Sequence, residues 1–165
     1  MDAVLPDLLE SGLALVFCGT APGRASARAA AYYAGPGNAF WETLHHVGLT
    51  PERLSPAEFR RLPEFGIGLT DICKVRQGSD AEVGTGYFDV DRLEAAIARA
   101  EPIRLAFNGK NSAQGALGRR VGYGVQPETI GRAEVWVLPS TSGVARRFWD
   151  VEPWSQLARA SISGR

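Results

Sequence analysis

The chain has 165 residues, 45% hydrophobic and 22% charged, with 18 basic and 18 acidic side chains. That length and composition fit one globular domain spanning 1–165, with a core of ordinary size. They count against a membrane-spanning helix, since no apolar run approaches the ~20 residues of a span, and the acidic start MDAVLPDLLESG does not read as a signal peptide because it lacks the basic region of one.

Two cysteines, Cys18 and Cys73, each end an apolar run. They read as buried free thiols, which suits a reducing cytoplasm. Neither has a neighbouring ligand at metal spacing, so no metal and no cofactor are expected. Zero net charge counts mildly against nucleic-acid binding, since such proteins usually carry a basic face. The basic residues are 16 Arg and 2 Lys. Arginine suits phosphate forks, and a GC-rich genome gives the same bias.

In chain order, the first element is an apolar strand over 13–18, ending in Gly19-Thr20-Ala21-Pro22-Gly23. A small-residue loop follows, then Tyr32 and Tyr33. Asn38 can cap a helix through Phe40, Trp41, Leu44 and Val47, stopped near Gly48. Ser55-Pro56-Ala57-Glu58 is a capping box with proline at the first helical position. A second strand covers 67–70. The polar, glycine-containing segment 75–88 reads as a long loop, functional or mobile. Leu93, Ala96, Ile97 and Ala100 share one face of a helix over 90–100. A third strand at 104–107 precedes a weaker helix at 110–117. The fourth strand, 135–138, precedes a last helix at 154–162. Trp41, Trp136, Phe148, Trp149 and Trp154 are expected in the core, and His45 and His46 on the surface.

Strands alternating with helices argue for an α/β fold with a mainly parallel sheet. In such sheets ligands bind beyond the carboxyl ends of the strands. Those ends are Gly19 to Gly23, then Asp71, then Asn108-Gly109-Lys110, then Pro139 to Gly143. All four are small, polar or glycine-rich. Together they predict a cleft lined by backbone amides and a few polar side chains.

Four segments, in order, resemble the mismatch-specific uracil/thymine-DNA glycosylases of the uracil-DNA glycosylase superfamily. GTAPG is similar to the first glycosylase motif, YYAGPGNAFW to the pocket floor and following helix, and GLTDI to the end of the second strand. LPSTSGVARRFW is similar to the second catalytic motif and the loop that penetrates DNA. The resemblance spans 17–149. It implies a three-layer α/β/α sandwich with a mainly parallel four-stranded sheet. It also implies base flipping and hydrolysis of the N-glycosidic bond, in base excision repair. The partner would be double-stranded DNA containing uracil or mismatches, bound by a monomer.

Breaking the C1′–N bond requires a flipped base, a wall to hold it, and an anion or activated water near the sugar cation. Tyr33 stands where the resemblance places the base-stacking aromatic, with Tyr32 the alternative by one register. The Thr20, Ala21 and Gly23 backbone and Ser140 stand where the base is held, and Asn38 either caps its helix or shapes the pocket wall. Gly143, Val144, Ala145 and Arg146 match the penetrating loop; an apolar wedge or an arginine there fills the hole left by a flipped base. Ser142 and Lys110 are placed near phosphate.

Two positions depart from the pattern. Ala21 stands where relatives often carry Asn or Asp, and Ser140 where they carry His or Asn. Asp71 is the only carboxylate at a strand end and is therefore the expected catalytic group, replacing the absent one; its other reading is capping a following helix or pairing with Lys74 or Arg76. Two further functions stay open on sequence: a non-catalytic module recognising damaged DNA, and a small-molecule nucleotide enzyme.

Overall fold

The computed structural model describes residues 2–163. Its centre is a five-stranded sheet in the order β2-β1-β3-β5-β4. The strands are β1 (Leu15–Gly19), β2 (Ile67–Asp71), β3 (Arg104–Asn108), β4 (Gly124–Ile130) and β5 (Ala133–Leu138). β1 pairs in parallel with β2 and β3, and β3 with β5, while β4 runs antiparallel along the edge. The four expected strands are all present. The sheet has five strands rather than four because β4, with β5, closes an edge hairpin.

Every residue of β1 and β2 is buried, as expected where helices cover both faces of a sheet. The two-residue period of the strands sorts their side chains. Leu15 and Phe17 of β1 face one cluster, with Leu69, Ala106, Trp136, Phe40 and Trp154. Val16 and Cys18 face the other, with Leu105, Phe107, Val135, Leu93 and Ile97. This is a three-layer α/β/α arrangement.

The helices are α1 (Arg24–Ala29), α2 (Phe40–His46), α3 (Asp80–Val83), α4 (Val90–Ala100), α5 (Lys110–Leu117) and α6 (Glu152–Ser163), with 3-10 helices over Pro56–Phe65 and Gly143–Phe148. α4 buries the expected Leu93, Ala96, Ile97 and Ala100, and the Asp89 side chain caps it by accepting from the Arg92 amide at 3.0 Å. Ser55 and Glu58 form their capping box, though on a 3-10 helix. Both cysteines are buried and free. Trp41, Trp136 and Trp154 are buried, Trp149 is half-buried, and His45 and His46 are exposed. Phe148 departs from the expected core: it is 58% exposed on the loop after β5.

Two segments read as loops hold helices. The small residues after Gly23 form α1. The stretch 75–88 holds α3, started by a capping box in which the Glu82 amide donates to Ser79 Oγ at 3.3 Å and the Ser79 amide to Glu82 Oε1 at 3.0 Å.

Candidate active site

The carboxyl ends of β1, β2, β3 and β5 open into one cleft of about 730 Å³. Thr20, Ala21, Gly23, Tyr33, Asn38, Asp71, Lys110, Ser140 and Ser142 to Ala145 all line it. Arg146 stands at its rim: a Cβ on Gly37 would lie 3.4 Å from its guanidinium. Among the described residues no group of His, Cys, Asp or Glu could hold a metal ion.

The floor begins with the loop after β1. It is stitched to β2 by the Ile72 amide donating to the Gly19 carbonyl at 2.9 Å and the Cys73 amide to the Thr20 carbonyl at 2.8 Å. The amides of Ala21 and Gly23 meet no acceptor among the described residues. They are free to donate to a ligand carbonyl.

The aromatic wall is Tyr33. Its ring stacks on Phe40 at a centroid distance of 4.1 Å and 28°. Phe40 is fully buried and meets Phe17 edge-on at 5.3 Å. Tyr33 has φ +53°, a left-handed backbone that a bulky side chain rarely adopts. Such strain persists where surrounding packing over-determines it, and the stack on Phe40 supplies that packing. Its hydroxyl is buried at the closed end, with Asp71 and Asn108 as polar neighbours, and burial holds the phenol well above its ordinary range. Tyr32 is 2% exposed and is tied elsewhere: its hydroxyl donates to the Pro6 carbonyl at 2.8 Å.

Asp71 ends β2 beside Gly19. A Cβ on Gly19 would lie 2.7 Å from Asp71 Oδ1 and 3.1 Å from the Tyr33 hydroxyl. Only glycine lets both groups reach that point. Asp71 is 3% exposed, and its Oδ2 is buried with no hydrogen-bond partner. Burial pushes its pKa up to about 7; Lys74 and Arg92 oppose the rise and Asp7 adds to it. The alternative pairing fails: Lys74 contacts Asp7 at 2.8 Å, and Arg76 lies over the Tyr87 ring at 4.0 Å.

Other polar groups in the cleft are committed to structure. Asn108 Nδ2 donates to Thr141 Oγ1 at 2.9 Å and its Oδ1 accepts from the Thr141 amide at 3.0 Å, tying β3 to the loop after β5. Asn38 Oδ1 accepts from the Phe40 amide at 3.0 Å, at the start of α2. Ser140 Oγ accepts from the Ser142 amide at 3.1 Å. Lys110 is exposed at the rim, its Nζ 4.4 Å from the centre of the Tyr123 ring. The Gly143–Phe148 turn projects from the rim, with Val144 87% exposed.

The sequence reading missed Asp80, a second carboxylate of the cleft. Desolvation raises its pKa, against hydrogen bonding from Asn111 and Thr20. The Gly78 amide donates to the Pro22 carbonyl at 2.9 Å, and Arg24 pairs with Glu82. These contacts bring Asp80 against the loop after β1. The Ser79-x-x-Glu82 box was the signal that would have placed it at a helix start.

A mainly parallel sheet with helices on both faces and a cleft across its carboxyl ends, lined by an aromatic ring and a buried carboxyl, defines an α/β protein with a ligand-sized cleft at the place where such sheets bind ligands. Residues 6–158 match the Uracil DNA glycosylase superfamily, and the chain belongs to that superfamily. A solution NMR structure from Methanosarcina acetivorans, described only as a candidate uracil DNA glycosylase, is similar at 25% identity and a TM-score of 0.68, over 96% of each chain. Membership supports a DNA glycosylase with DNA as its partner and base repair as its setting.

Proposed function

We propose that this protein is a monofunctional DNA glycosylase that excises uracil, and related deaminated or mismatched bases, from double-stranded DNA. One observation carries the reading. The closed end of the cleft holds a buried carboxyl with an unpartnered oxygen, set at the edge of an aromatic wall. A flipped base lies flat against Tyr33, with its carbonyl oxygens within reach of the free amides of Ala21 and Gly23. Asp71, as carboxylate, supplies the negative charge against which the sugar becomes cationic. The C1′–N bond breaks with its electron pair leaving on the base, and water bonds to C1′ and gives up a proton to the Asp71 carboxylate.

The lysines support hydrolysis over an amine nucleophile. A Schiff base needs a free amine at the reacting carbon. Lys74 is 8% exposed and held by Asp7, and Lys110 sits out at the rim over Tyr123. The Gly143–Phe148 turn is suited to fill the gap left in the duplex, which favours a mispaired base that unstacks easily. The buried free thiols suit the cytoplasm.

The test is excision from duplexes carrying G·U and A·U pairs, read as strand cleavage after alkali. Wild type is expected to cleave both, the mispair faster. Asp71→Asn is expected to lose about 100-fold or more in single turnover. Near-normal rates for Asp71→Asn overturn the role of Asp71. Tight binding to the mispair with no turnover by wild type overturns catalysis in favour of a damage-recognition module, the reading that Ala21 and Ser140 motivate.

A further inference from the structure

Behind Asp71, on the side away from the cleft, lies a cluster of charges that the chemistry above does not use. Asp7 is its hub. Its Oδ1 accepts from Lys74 Nζ at 2.8 Å and from Thr70 Oγ1 at 2.7 Å, and its Oδ2 accepts from the Arg92 guanidinium at 2.7 Å. Arg92 also donates to Thr70 Oγ1 at 3.1 Å and to the main-chain carbonyl of Asp71 at 2.7 Å. Lys74 reaches the Tyr32 hydroxyl at 3.2 Å.

The backbone is arranged to deliver Asp7 to this place. The Leu8 amide donates to the Leu69 carbonyl at 2.8 Å, the Leu69 amide to the Leu8 carbonyl at 2.9 Å, and the Val4 amide to the Lys74 carbonyl at 2.7 Å. The segment around Asp7 is thereby docked on β2, next to the strand tip that carries Asp71. Asp7, Lys74 and Arg92 are well sequestered, with side-chain exposures of 24%, 9% and 27%. Partly buried charges are costly without partners, and hydrophobic residues of similar size would fill the space with less penalty. A cluster of this kind needs a reason.

We propose that Asp7, Lys74 and Arg92 form the positioning device of the active site: they anchor the tip of β2 through the Asp71 carbonyl and balance the charge of its carboxylate. The proposal rests on the role given to Asp71 above. With Asp71 ionised, two cations stand against two carboxylates. With Asp71 protonated, the cluster carries one uncompensated positive charge. The arrangement therefore favours the ionised group that the reaction requires, in a place where burial alone would suppress it.

The groups facing Asp71 are Lys74, Asp7 and Arg92 from this cluster, Tyr32 and Tyr33 from the loop after α1, and Cys18 from β1. Burial holds both phenols and the thiol above their ordinary ranges, leaving them neutral. Burial raises Asp7 as well, but Lys74, Thr70 and Arg92 outweigh it and hold it below the ordinary carboxylate value. Asp7 is thus a fixed negative charge, and Lys74 opposes it at the same site.

Opposite signs follow for two substitutions. Asp7→Asn removes the negative neighbour and shifts Asp71 titration to lower pH. Lys74→Met removes a positive one and shifts it to higher pH. Each shift is expected to reach about half a pH unit or more, read by carbon NMR of labelled aspartate carboxyls in the intact protein. A third variant, Arg92→Lys, keeps the charge but breaks the planar fork. It is expected to lower the single-turnover rate while leaving the titration midpoint within about 0.3 unit.

Thermal melts establish that each variant is folded; a variant that does not fold leaves the decision to the other two. Shifts in the same direction, or no shift in either charge variant, overturn the proposal. Because titration is read without substrate, the outcomes separate. Opposed shifts in a protein that excises no base uphold the cluster and overturn the glycosylase reading. Excision by a protein whose Asp71 midpoint ignores both variants does the reverse.

Discussion

Asp71 is expensive to keep where it is. One oxygen lies against Gly19 and the other has no partner, and a buried polar group without a hydrogen bond costs stability. Its pKa of about 7, against an ordinary 3.8, gives that cost a direction. Between pH 4 and 7 the folded protein holds a proton that the unfolded chain releases. The stability contribution of this group is therefore complete below about pH 4 and is lost as pH rises through 7. Catalysis, in the role proposed for Asp71, runs the other way, because the carboxylate would be the working form. Excision is expected to climb from pH 5.5 to 8 while the melting temperature falls over the same interval. Asp71→Asn is expected to flatten the thermal dependence and melt above wild type at pH 8, with excision lost. Melts at pH 5 and 8 check this; an Asp71→Asn protein less stable than wild type at pH 8 would show that the buried charge is not the cost. Residues that reduce stability to serve function follow this pattern.

Among the elements, the turn Gly143–Phe148 carries two of the most exposed large apolar side chains among the described residues. Val144 and Phe148 are 87% and 58% exposed. Burying a valine side chain contributes about 1.5 kcal/mol or more, close to tenfold in a rate or binding constant. Val144→Ser is expected to lower single-turnover excision from a G·U duplex by about tenfold, with unfolding free energy changed by less than about 0.5 kcal/mol, as for other exposed sites. An unchanged rate would remove Val144 from the wedge.

The same turn shows the limits of sequence pattern. Phe148 reads as core because large aromatics usually are, and only its place on a projecting loop makes it otherwise. β4 escaped notice for a related reason. Its residues alternate half-buried and exposed, with Pro127 and Glu128 inside it, as an edge strand permits, and no continuous apolar run marks it. The parallel strands were legible because covering both faces demands such runs. Thr20, Tyr33, Asp71 and Ser140 were legible as cleft residues because each follows directly from a strand end or a motif. Asp7 and Asp80 were not. One reaches the site through a two-residue backbone bridge from the N-terminal segment, the other through a four-residue helix inside a polar loop, and neither leaves a periodic trace.

At the scale of the whole molecule the charges cancel, 18 against 18, so no broad field steers the protein to DNA. Attraction must come from what stands unpaired at the cleft. Arg61, Arg119 and Arg159 are held by Glu52 and Glu58, Glu128, and Glu152, away from it. Lys110, Arg146 and Arg147 at its mouth have no acidic partner among the described residues; two of them lie over exposed rings, Lys110 on Tyr123 and Arg147 on Phe148. Three phosphate contacts predict a slope of about −3 for the logarithm of the binding constant against the logarithm of salt concentration. Arg146→Ala is expected to reduce the steepness by about 1 and to weaken uracil-containing and normal duplexes alike, since a phosphate contact carries no sequence information. Titrations of both duplexes from 50 to 200 mM salt check this. A slope near zero would mean that the cleft mouth does not meet the backbone. A loss confined to the uracil duplex would move Arg146 from the phosphates to the gap left by the flipped base.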